Sequence, residues 1–142
     1  MKSLALLVAC GCVLLVDAPD SSGEEPGLDC ADPQTQLALT MCAGQEFEKA
    51  DKALNAQYKI TREAMRRRDA AADEQFKGAE EALVKAQRAW IAYRDAHCVV
   101  EGFEARGGTM EPMVFVQCQA EVTGRRTDEL KALAENMQEW LP

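Results

Sequence analysis

The chain has 142 residues, with 24 acidic and 16 basic side chains and a net charge of −8. That length suits one domain, and the surplus of acid argues against nucleic acid or an anionic membrane as partner and in favour of a basic protein. Apolar residues make up 47% although aromatics are only 6%, which excludes a disordered chain and predicts a core of Ala, Leu, Val and Met, and a single His excludes His-rich metal sites.

Residues 4–16 read LALLVACGCVLLV, an uncharged run after Lys2 that is followed by Asp17, Pro19 and Asp20. A basic start, a short apolar stretch and a polar break predict an export signal over residues 1–18. The run falls short of the roughly 20 residues that a membrane-spanning helix needs, so no transmembrane segment is expected. Leu7-Val8-Ala9-Cys10 resembles a lipobox, which keeps a lipid anchor at Cys10 as the alternative to a soluble product. Residues 19–29, rich in Pro, Ser, Gly and acid, read as a flexible leader, and the domain then occupies residues 30–142.

Asp32-Pro33 predicts the start of a first helix, because a carboxylate caps free N–H groups and Pro suits the first helical position. Leu37, Met41, Gly44, Phe47, Leu54, Tyr58, Thr61 and Met65 then recur at steps of mostly three, four or seven, as one stripe of a helix does. Arg66-Arg67-Arg68-Asp69 ends that stripe and reads as a solvated helix end, where cations complement the dipole. The apolar positions of a second helix are Leu83, Ala86, Trp90, Tyr93, His97 and Cys98, and Gly107-Gly108 breaks it. Thr109 is expected to cap a third, with Glu111 and Pro112 in its first turn and Met113, Val116, Ala120, Leu130, Leu133 and Met137 as its apolar positions. Gly124 predicts a kink or restart there, and Trp140-Leu141-Pro142 a short docked tail. The fold class is all-α: a small antiparallel bundle of about three helices.

Removing residues 1–18 takes away Cys10 and Cys12 and leaves the net charge at −8. Cys30, Cys42, Cys98 and Cys118 remain, and an even count in an exported chain predicts two disulfides. Their spacing has no C-x-x-C pair, so zinc is not expected, nor is any other metal or cofactor. If the first two helices turn near residue 71, Cys42, Cys98 and Cys118 fall in one layer. A helix running from Pro33 would hold Cys30 about 15 Å from Cys42, whereas bridged Cα atoms lie within about 7 Å. The expected pairing is therefore Cys42–Cys98 with Cys30–Cys118, ahead of Cys30–Cys42 with Cys98–Cys118. His97 beside Cys98 reads as an ordinary residue next to a disulfide, not as half of a thiol–imidazole pair, and no catalytic constellation is expected.

Several blocks now stand in one order: Asp29-Cys30, Thr35-Gln36, Met41-Cys42-Ala43, Ala50-Asp51-x-x-Leu54-Asn55-x-x-Tyr58, Ala86-Gln87-Arg88-Ala89-Trp90-Ile91-x-Tyr93-Arg94-Asp95-x-x-Cys98, Gly107-Gly108-Thr109, Cys118 and Thr123-x-x-Arg126-x-x-x-Leu130. Over about residues 30–133 the chain resembles the LprI-type family of exported bacterial proteins, named for lysozyme inhibition. The resemblance implies an all-helical, secreted or lipid-anchored domain with paired cysteines that inhibits lysozyme.

The same blocks have a physical reading. Asp51, Asn55 and Tyr58 share a face of the first helix, and Gln87, Trp90 and Arg94 share one of the second. Polar and aromatic groups on facing helices predict a hydrogen-bonded network that fixes register. An inhibitor that occludes a basic lysozyme would present an exposed loop. The Gly107-Gly108 turn, flanked by Glu104 and Glu111, is the expected contact because Gly permits close approach. The competing expectation is a periplasmic or envelope accessory domain that binds another protein without inhibiting lysozyme.

Overall fold

A computed structural model describes residues 28–138; the export signal, most of the leader and the Trp140-Leu141-Pro142 tail lie outside them. Three helices follow in order: α1 (Gln36–Ala71), α2 (Ala79–Gly102) and α3 (Glu111–Gln138), with no strand among the described residues. Short 3-10 turns, Glu74–Phe76 and Phe103–Ala105, mark the two connections.

α1 starts three residues later than Asp32-Pro33 predicts. Thr35, in extended conformation, is its N-cap, and its Oγ1 accepts the Ala38 N–H at 3.1 Å. Thirty-six residues at 1.5 Å each make a rod of about 54 Å. The rod passes Arg66-Arg67-Arg68 and stops where Ala72 turns extended. Arg68 Nη1 donates to the Phe76 carbonyl across the turn at 3.1 Å, and Arg66 pairs with Glu63 within α1 at 3.2 Å. α2 opens behind Gly78, whose φ of 120° favours glycine over any L side chain. Its cap comes from another helix. Asp69, in the last turn of α1, accepts the N–H groups of Gly78 and Ala79 on Oδ1 (3.1 and 3.0 Å) and that of Glu80 on Oδ2 (2.9 Å). α3 starts at Glu111 with Pro112 in its first turn. The Met110 carbonyl accepts the Val114 N–H at 3.0 Å, and Thr109 makes no side-chain cap among the described residues. The helix runs through Gly124 without a break, so it does not restart there.

Cross-helix contacts set the packing. Asp51 faces Arg94 and Arg62 faces Glu80, so α1 and α2 are antiparallel. Gln87 meets Arg126 and Asp95 meets Gln119, so α3 runs back beside α2. Gln36 reaches Met113 and Thr61 reaches Leu130, which makes α1 and α3 parallel neighbours in the most extensive contact of the bundle. Leu54, Met65, Leu83 and Leu130 form the centre of the core, with Tyr58, Ala79, Trp90 and Met137 packed on it. Ala64, Val122 and Ala134 fill the remaining space, in keeping with a core poor in aromatics.

Two parts of the predicted stripes face solvent instead. Leu37 and Met41 are exposed because the first turns of α1 extend past the end of α2. On α2, Ala86 and Tyr93 point outward. They lie on the shoulder of the stripe through Leu83, Gln87, Trp90, Arg94 and Cys98, and that narrower stripe is the one the bundle covers.

The disulfides overturn the expected pairing. Cys30 joins Cys42 and Cys98 joins Cys118, each with Cα atoms 5.5 Å apart. The later start of α1 accounts for the difference. With α1 opening only at Gln36, the preceding residues fold back along its first turns and bring Cys30 to Cys42. Cys42 therefore faces the α1–α3 groove with Met113 and Gln117, away from Cys98.

Candidate functional site

The network predicted from Asp51, Asn55, Tyr58, Gln87, Trp90 and Arg94 gathers in one place. All six line a cleft of about 400 Å³ between α1 and α2, whose apolar lining includes Leu54 and Ile91. Helical spacing accounts for this: steps of three and four on two antiparallel helices stack these side chains along one shared groove. Asn55 Nδ2 donates to Asp51 Oδ2 at 2.7 Å. Arg94, whose side chain is only 11% exposed, donates from Nε to Asp95 Oδ1 at 2.9 Å, and its Nη1 lies 3.7 Å from Asp51 Oδ1. Its guanidinium carbon stands 5.2 Å from the Phe47 ring centroid and 5.4 Å from that of Trp90. Cation–π attraction from both rings supports a charge that solvent hardly reaches.

α3 closes the network from behind. Gln119 Nε2 donates to Asp95 Oδ1 at 3.2 Å, and Arg126 Nε donates to Gln87 Oε1 at 3.1 Å while its Nη1 bonds Glu129 at 2.8 Å. Arg126 also stands 5.9 Å from the Trp90 centroid. Phe47, Asp95, Gln119 and Glu129 were missed as members in the sequence. Phe47 stands one turn before Asp51 and was legible as a neighbour. Gln119 and Glu129 carry no local signal, because only the approach of α3 gives them partners.

The turn flanked by Glu104 and Glu111 forms the tip of the α2–α3 hairpin. Gly107 has a φ of 76°, and its N–H donates to Glu111 Oε2 at 2.7 Å. Gly108 donates to the Ala105 carbonyl at 2.9 Å, and a Cβ there would lie 3.1 Å from that oxygen. Glu111 also stands 3.7 Å from Arg106, whose guanidinium covers the Phe103 ring at 4.4 Å. Glu111 is therefore a tie within the loop. Glu104 is exposed and makes no ion pair among the described residues. Val100, Phe103 and Met110 add exposed apolar surface around it.

Cys98 is consumed by its disulfide, and His97 stacks on Tyr93 at 5.3 Å and lies 3.5 Å from Glu101, so no thiol–imidazole pair forms. Among the described residues no group of three or more His, Cys, Asp or Glu side chains could hold a metal ion, and no helix is long and apolar enough to cross a membrane.

Comparison with known proteins fits this architecture. An uncharacterized protein of Rhizobium meliloti (strain 1021) is 44% identical over 137 residues, covering 94% of each chain. No solved structure matches the chain. The family described as Lysozyme inhibitor LprI matches residues 29–130, which hold both disulfides, the α1–α2 cleft and the hairpin tip. By that match, the chain belongs to the LprI lysozyme inhibitor family.

Proposed function

We propose that this chain is an exported inhibitor of lysozyme that acts by binding the enzyme and occluding its glycan cleft, without chemistry of its own. The observation that carries this reading is family membership across residues 29–130. The net charge of −8 supports a basic lysozyme as the target, since opposite net charge speeds encounter and makes it sensitive to salt. The contact surface in this reading is the hairpin tip. Gly107 and Gly108 keep its backbone slim, Phe103 and Met110 supply apolar area, and Glu104 offers a carboxylate to a cationic cleft. Glu111 shapes the loop from within. Residues 1–18 would direct export and be removed, with lipidation at Cys10 as the other route. Intact mass of the native protein distinguishes the two.

The test is muramidase activity on cell walls with the oxidised protein present. Inhibition that weakens as salt rises is expected, because exposed charges more than about 10 Å apart are screened at 0.1 M ionic strength. Failure to inhibit any of several lysozyme classes would overturn the reading and leave the accessory-domain alternative.

A further inference from the structure

The two ends of the bundle differ in charge. Residues 28–50 and 96–121, the end that holds both disulfides and the hairpin tip, carry eight acidic side chains against Lys49 and Arg106, a net charge of −6. Residues 51–95 and 122–138 carry eleven acids against thirteen bases, a net charge of +2. More than half of the exposed large apolar side chains among the described residues also lie at the acidic end, Leu37, Val100 and Phe103 among them. That end contains a groove of about 390 Å³ between the first turns of α1 and of α3. Leu39, Ala43 and Met113 give it an apolar lining beside the Cys30–Cys42 disulfide, and Glu46 and Glu121 bring carboxylates to it. Both glutamates are exposed. Glu121 makes no ion pair among the described residues. Glu46 pairs at 2.7 Å with Lys49, one turn on, and exposed pairs of that kind contribute little.

We propose that this groove receives a lysine or arginine side chain of a basic protein. Such a side chain has the two halves that the groove matches: an aliphatic stem that packs on apolar surface and a cationic head that stays wet. The stem lies against Leu39, Ala43 and Met113, and the head meets Glu121 and Glu46. Charge selects against other occupants. Residues 19–27 carry Asp20, Glu24 and Glu25 and no base, and a second copy brings the same net charge of −8. A basic partner turns that repulsion into attraction. The inference rests on the lysozyme reading for the identity of the partner. Met113 stands one turn beyond Met110 of the hairpin tip, so one enzyme surface covers both.

The experiment is a titration of the oxidised protein with a basic lysozyme of the animal type, followed by calorimetry and by the Met113 methyl resonance, assigned with Met113→Leu. That resonance should shift on saturation. Glu121→Lys sets the occupant's own charge at the groove; it should weaken binding by about tenfold and abolish the shift. Glu121→Gln, which only removes a charge, should weaken binding less. Glu135→Lys makes the same reversal on an exposed residue of the other end and should cost less than about threefold. Equal losses in the two reversals, an unmoved Met113 resonance in the bound parent, or unchanged affinity in Glu121→Lys would each overturn the proposal; muramidase inhibition by the parent then leaves the lysozyme reading standing. Binding that depends on Glu121 but leaves muramidase activity intact would overturn that reading and support the groove. Absence of binding would overturn both.

Discussion

Two buried threonines show how one hydroxyl can help or hurt. Thr61 is 0% exposed, and its Oγ1 lies 2.8 Å from the Leu130 carbonyl and 3.0 Å from the Gln57 carbonyl, so it ties α1 to α3. Thr123 is equally buried, but its Oγ1 has no partner. Replacing each by Val changes shape little and removes one hydroxyl. Thr61→Val should lose about 1 kcal/mol, and Thr123→Val should gain about as much. Thermal unfolding would separate them, with shifts of roughly 4 °C in opposite directions. In the sequence Thr61 stands in the stripe of α1 and Thr123 beside Gly124, and nothing local tells the fates of their hydroxyls apart. The difference is made wholly by which carbonyl the partner helix brings near.

The capping of α2 by Asp69 is the corresponding feature among the elements. The N–H of Glu80, then that of Ala79, hold the Asp69 carboxyl below its ordinary value; Gly78 and Arg68 act in the same direction, and desolvation opposes them. A carboxyl lowered in the folded state contributes stability above its unfolded value, about 3.9, and loses it as pH falls through the folded value. Asp69→Asn should therefore melt lower than the parent at pH 7, and the two curves should converge as pH falls below 4. Parallel curves across that range would count against the capping role. Helix number, order and the second break were legible in the sequence, because apolar periodicity and Gly107-Gly108 are local signals, whereas helix-forming Ala and Glu in residues 69–78 blur the first turn. The cap from Asp69 was not, since it reaches across the turn. The Cys30 pairing was misread for a related reason: Asp32-Pro33 resembles a helix start, but Thr35 wins the cap, and that small shift decides whether Cys30 can reach Cys42. The six cleft residues were legible as a cluster because two helical stripes had to meet. The part played by α3 was not, because only the structure brings Gln119 to Asp95 and Arg126 to Gln87.

At the scale of the whole molecule, the distribution of charge governs encounter. Glu104→Lys reverses one exposed charge at the hairpin tip without touching the tie between Gly107 and Glu111. If the tip meets a basic enzyme, this variant should inhibit several-fold less, chiefly through slower association at low salt, with its thermal stability intact. Stopped-flow association rates at two ionic strengths would show it, and equal rates for parent and variant would assign the contact elsewhere. Glu111→Lys would be a poor probe of the same question, since it removes the acceptor that shapes the loop.

Both disulfides close on near neighbours, one within residues 30–42 and one within 98–118. Among the described residues no covalent bridge therefore crosses the α1–α2 connection, and they are chemically two pieces threaded on residues 72–78. Exposed Lys77 in that connection offers a protease a place to cut. A chain nicked there should stay together in native buffer, held by α1 against α3, yet run as two fragments on a denaturing gel without any reductant. A bridge from Cys42 to Cys98 would have kept those fragments as one band.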